Sequence, residues 1–178
     1  MRSPRCFAVL LACLLTAVLS SAQKQKREPL TEAQINQIRD SAIDPAARVA
    51  LYTQFLNEHA NVMKELASRV RSERRARRLD DELQDFTALM DELASNLDVY
   101  SGRKADIRKS LKPLDEAATR WLQILRELAA EPAFELARKE AIESGEDLYE
   151  QARNLSAEQT TYFNLHKDER GQQRAEPK

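Results

Sequence analysis

DPAARVALYTQFLNEHANVMKELASRV, residues 44–70, decides the fold. Val49, Tyr52, Leu56, His59, Met63, Leu66 and Val70 follow one another at steps that alternate between three and four. That rhythm draws a single stripe down one side of a helix and suits no strand. Asp44 is a strong N-cap, and Pro45 stands at the first helical position, where its missing N–H costs nothing.

Downstream, a second stripe runs Leu79, Leu83, Phe86, Met90, Leu93, Leu97, Tyr100. It cannot continue the first. From Val70 to Leu79 a helix turns by roughly 900°, which puts the two stripes on opposite faces. A turn near Arg77–Asp80, with Asp80 or Asp81 as the new cap, resolves the conflict. Ser101-Gly102 reads as the next stop, glycine being suited to the left-handed residue that follows a helix. A third stripe follows in Ile107, Leu111, Leu114, Ala118, Trp121, Leu125 and Leu128, where Pro113 is expected to kink the helix or mark a second start. Charge favours the turn at Gly102 over one bent helix. Residues 80–100 hold seven acids and no base, between basic blocks at 69–78 and 103–112, so antiparallel hairpins set the acidic helix against both. Glu131-Pro132 opens the last helix, with Ala141, Leu148, Ala152, Leu155 and Tyr162 on its stripe and Gly145 weakening its middle.

Upstream, Thr31-Glu32-Ala33-Gln34 is a capping box that starts a short helix to about Ile43, with Ile35, Ile38 and Ala42 on one face. Before it, residues 23–30 are polar and read as a flexible lead. Residues 1–22 read as a signal peptide: Arg2 and Arg5, the uncharged run from Phe7 to Leu19, then Ser20-Ser21-Ala22 as a cleavage site. The apolar run falls short of the ~20 residues a membrane span needs. Both cysteines, Cys6 and Cys13, lie in this leader. Cleavage after Ala22 therefore leaves a chain of 156 residues with no disulfide, no thiolate and no cysteine-ligated metal, exported to the periplasm or secreted. It carries 26 basic and 29 acidic residues, too even a balance to draw it to nucleic acid. Residues 31–167 make up the helical domain, and 168–178 a disordered tail.

Few residues stand out chemically. His59 and Met63, one turn apart, are the only nameable metal candidates, a copper-type pair. Both sit on the stripe, where a packed Met and a half-buried His are the commoner outcome. Arg69, Arg71, Arg74, Arg75, Arg77 and Arg78 form a block able to meet an anionic surface, against the plainer reading of a solvated helix C-terminus whose carbonyls attract cations. The block has no aromatic residue on which a base could stack. No nucleophile elbow, phosphate loop, Glu-x-x-His pair or singled-out carboxylate pair is present, so neither catalysis nor a cofactor is expected.

Ile38-Arg39, Asp44-Pro45, Arg48, Leu51-Tyr52, Phe55, the run Ile107–Lys112 and Trp121 together resemble a pattern of exported helical proteins of bacteria, over most of the processed chain. The resemblance implies a helical envelope protein and brings no activity and no binding residue with it. The expectation is an all-α antiparallel up-and-down bundle of four long helices with a short leading helix. Its expected role is non-catalytic: structural, or binding a protein partner or a second copy through helix surfaces, with a periplasmic ligand- or metal-binding module, or peripheral contact to anionic surfaces through residues 69–78, as the alternatives. No integral span is expected once the leader is removed.

Overall fold

The computed structural model describes residues 28–171. The expected leader, residues 23–27 of the lead and residues 172–178 of the tail lie outside the described residues. Within them the chain forms five α-helices and no strand: α1 (Glu32–Asp40), α2 (Pro45–Ser68), α3 (Glu73–Gly102), α4 (Arg108–Glu127) and α5 (Glu135–Leu165), then a 3-10 turn at Lys167–Glu169.

Two of the expected starts are made by the expected groups. Thr31 Oγ1 accepts from Gln34 N while Gln34 Oε1 accepts from Thr31 N, which closes the capping box of α1. Asp44 accepts from Ala47 N at 3.0 Å, with Pro45 as the first residue of α2. The start of α3 lies eight residues before the expected cap. Ser72 is the N-cap, accepting from Arg75 N, and the turn spans Arg69–Ser72. Val70, placed on the first stripe by its spacing, is 90% exposed. The second stripe instead extends backwards from Leu79 through Ala76 and Arg75, both buried. Asp80 and Asp81 are ordinary residues inside α3.

At the other end of α3 the helix stops at Gly102 as expected, but the left-handed residue is Lys104 (φ 55°), not the glycine. α4 runs through Pro113 with no second start, the proline lying on an exposed position. α5 begins at Glu135 and not at Pro132, because Phe134 turns inward as its cap residue and is only 1% exposed. Phe163, not Tyr162, fills the last core position of α5, and Ala42, expected on the inner face, lies exposed beyond the end of α1.

Side-chain bonds between helices fix their directions. Tyr52–Glu92 and His59–Glu82 make α2 and α3 antiparallel. Gln159 at Ile107 and Glu146 at Arg126 make α4 and α5 antiparallel. Ser110 Oγ donates to Ala46 O at 2.7 Å and Trp121 Nε1 to Asn57 Oδ1 at 2.9 Å, so α2 and α4 run parallel. Asp91–Ser144 and Asp98–Gln151 make α3 and α5 parallel as well. Direction thus alternates along the chain, while the order around the bundle is α2, α3, α5, α4, with α1 laid on α2. α3 and α4 face each other only across the diagonal. The acidic helix therefore lies between α2 and α5, not between the two basic blocks. Exposed ion pairs contribute ~1 kcal/mol or less apiece, too little to set helix order against burial of the stripes.

The core runs the length of the bundle. Trp121 meets Phe86 edge to face, ring centroids 5.7 Å apart, with Phe55, Met63, Leu79, Leu93, Leu114 and Phe134 also closed off from solvent. Gly145 lets α5 come close to its neighbours: a β-carbon there would lie 3.1 Å from Leu122 Cδ2 and 3.7 Å from Met90 Sδ. Asp168–Gly171, expected to begin a loose tail, are held in place. Arg170 Nε donates to Phe163 O and Gly171 N to Asp106 Oδ2 at 2.9 Å. Asp106 also takes both Nε and a terminal nitrogen of Arg108. That bidentate bond, outweighing partial burial and helped by Gly171 N–H, holds its carboxyl down at about 2.

Candidate interaction surfaces

The structure separates His59 from Met63. Met63 is fully buried in the core, whereas the half-buried His59 ring turns outward to Glu82, Nδ1 to Oε1 at 2.6 Å. The Pro29 carbonyl is a further hydrogen-bond partner of the imidazole. Burial alone would lower the pKa of this ring. The hydrogen bond and charge of Glu82, the charge of Asp85 and the Pro29 carbonyl outweigh burial, and the pKa is raised above the ordinary imidazole value. Among the described residues no group of three or more His, Cys, Asp or Glu is placed to hold a metal. His166 stacks on Tyr162 with ring centroids 4.2 Å apart, in a turn remote from His59.

The arginine block is divided by the fold. Arg69 and Arg71 lie in the α2–α3 turn, and Arg74, Arg75, Arg77 and Arg78 in the first two turns of α3. Arg75 is a core residue, 7% exposed. Its Nε donates to Leu66 O at 2.8 Å and its Nη1 to Glu131 Oε1 at 2.7 Å. A cation does therefore serve a helix C-terminus here, that of α2, but it reaches back from the following helix. The other five arginines are exposed. Arg69 pairs with Glu65, Arg77 with Glu73 at 3.8 Å and Arg71 with Glu131 at 3.6 Å, while Arg74 and Arg78 make no ion pair among the described residues. Arg69, Arg74 and Arg78, with Leu66, Val70, Ser72 and Arg75, line a concavity of about 370 Å³ at this end of the bundle.

The larger surface feature was not singled out by sequence reasoning. α3 and α5, running parallel, leave a groove of about 710 Å³ lined by Asp91 on one wall and Glu140, Glu143 and Asp147 on the other. It continues along the same two helices into a second hollow of about 390 Å³, with Asp98 facing Glu150 and Glu158, and Asp147 and Gln151 common to both. No lysine or arginine lines either part. Its floor carries polar ties: Ser144 Oγ donates to Asp91, and Gln151 Nε2 donates to Ala94 O at 3.1 Å and to Asp98 Oδ1 at 2.6 Å. The signal was present. Glu140, Glu143, Asp147 and Glu150 keep the three-and-four rhythm of one helix face, and Glu158 follows eight residues on. No helix among the described residues is long and apolar enough to cross a membrane. No protein-family pattern matches the chain, and no curated protein or solved structure matches it.

Proposed function

We propose that this chain is an exported, non-catalytic helical module of the bacterial cell envelope that acts by holding another protein, and that the α3–α5 groove is the contact surface. The observation that carries the reading is the groove's uniform charge. Glu140 to Glu158 spans about 27 Å of helix, long enough for several turns of a partner, and every charged side chain lining the groove is a carboxylate. A partner helix or extended segment rich in Lys and Arg is the chemistry that fits. Such a field steers association and weakens as salt screens it. The cross-helix bonds of Ser144 and Gln151 hold the two walls in register before a partner arrives, which lowers the ordering cost of binding.

The test is crosslinking and pull-down from native envelope, with the wild-type chain and with Glu143→Lys/Asp147→Lys/Glu150→Lys. The expected result is a basic partner recovered by the wild type, lost with the triple variant and weakened by added salt. Recovery of nothing above background overturns the reading, as does a partner held equally well by the variant.

A further inference from the structure

We propose that the arginine-bearing end of the bundle is a docking site for an anionic phospholipid surface. This inference is independent of the groove and of its partner. Three observations meet at the α2–α3 turn. Arg69 and Arg71 lie in it and Arg74 and Arg78 in the first two turns of α3 just beyond, all four exposed, and Arg74 and Arg78 make no ion pair among the described residues. Val70, 90% exposed, stands at the turn between Arg69 and Arg71. The concavity that Val70 helps to line, about 370 Å³, also has Arg75 among its lining residues, its guanidinium bonded to Leu66 O and Glu131.

Each observation selects among ligands. Guanidinium forks match phosphate oxygens in pairs, so the class is phosphate or a similar oxyanion. A free phosphate would have no use for an aliphatic side chain held out in water at the rim. A headgroup layer would, because it offers phosphates to the arginines and an acyl boundary to Val70. A nucleic-acid strand would call for aromatic side chains on which to stack bases, and the turn has none. At the turn itself the acids are Glu65, Glu73 and Glu131, each beside an arginine, and Asp80, Asp81 and Glu82 follow Arg78 one turn further along α3. Arg78 lies nine residues, about 14 Å of helix, from Thr87 at the near end of the acidic groove, and the two surfaces share no lining residue.

The experiment uses the chain as recovered after expression with its own leader, in whatever processed form export yields, and measures co-sedimentation with vesicles. One set is pure phosphatidylcholine and the other contains about a quarter phosphatidylglycerol. The expected result is retention on the anionic set, falling steeply between about 50 and 200 mM salt. Arg74→Glu/Arg78→Glu should lose at least ~10-fold of that binding, and Val70→Asp several-fold, with circular dichroism unchanged because all three side chains are exposed. Equal binding to both vesicle sets overturns the proposal. So does undiminished binding by the double variant. Displacement by about 1 mM inorganic phosphate would identify free phosphate as the ligand, and retention on single-stranded DNA with none on vesicles a nucleic acid; either result overturns the lipid assignment.

Discussion

Trp121 donates its indole N–H to Asn57 Oδ1 at 2.9 Å, and that bond locks the register of the two parallel helices α4 and α2. It is the chain's one tryptophan and is 1% exposed. Asn57→Ala leaves the indole donor without its partner at the core boundary, for an expected loss of about 1–3 kcal/mol. Trp121→Ala empties the centre of the bundle and should cost more, about 3–5 kcal/mol. Urea denaturation followed by circular dichroism measures both. In Asn57→Ala the fluorescence of Trp121 gives a second probe of the same transition. A cost for Asn57→Ala within about 0.3 kcal/mol of zero would show that the bond does not hold the register.

Gln159 presents a similar case with higher stakes. Buried at 5% exposure, its amide accepts from Ile107 N at 3.1 Å and donates to Ala105 O at 2.8 Å. It thus serves the backbone of the turn that carries the chain across the diagonal from α3 to α4. Gln159→Met keeps the volume and leaves both backbone groups without their partner, at an expected cost of about 2–4 kcal/mol. Hydrogen exchange at the Ile107 amide should accelerate in parallel. Unchanged protection there would overturn the assignment.

The His59–Glu82 pair makes stability depend on pH in a definite direction. The pKa of His59 is raised in the fold, so the folded state holds the imidazole proton more tightly than the unfolded chain does. The stabilisation is complete below the unfolded imidazole value, about 6.5, and is lost as pH climbs from there through the higher folded value. Glu82→Gln removes most of what holds the proton. The expected outcome is that the urea midpoints of wild type and variant differ most near pH 5.5 and converge above the folded pKa. A gap that stays constant with pH would show that Glu82 acts through packing and not through the proton.

What could be read in the residues was whatever depends on neighbours three and four apart. The capping box at Thr31, the Asp44-Pro45 start, the stop at Gly102 and the leucine stripes are all local, and the structure repeats them. The start of α3 was misplaced because Val70 falls in register by coincidence of spacing, and because six arginines suggest a helix end by charge alone. The Ser72 cap and the small Ala76 give little hydrophobic signal against that. The order of the helices was not legible at all. Antiparallel neighbours and a diagonal crossover bury the same four stripes, and what separates them is long-range packing such as Gly145 beneath Leu122. Of the surfaces, the arginine end was visible as a run. The acidic groove was not seen, because its two walls, at Asp91–Asp98 and Glu140–Glu158, are joined only by the fold.

Arg75 gives the sharpest separation between the charge run as read and as folded. If the whole block were a solvated face, its arginines would be interchangeable. In the fold Arg75 is buried and donates to Leu66 O, to Ala67 O at 3.4 Å and to Glu131, joining the end of α2 to the α4–α5 connection. Arg75→Met leaves two carbonyls and a mostly buried carboxylate without their donor. Arg71, 3.6 Å from Glu131, recovers part of the last. The expected loss is about 2–4 kcal/mol. Arg74→Met and Arg78→Met, at exposed positions without ion pairs, should each stay within about 0.5 kcal/mol of wild type. Urea denaturation of the three single variants decides it. Equal stabilities across the set would return Arg75 to the surface and move the start of α3 with it, since a helix beginning at Ser72 is what turns that side chain inward.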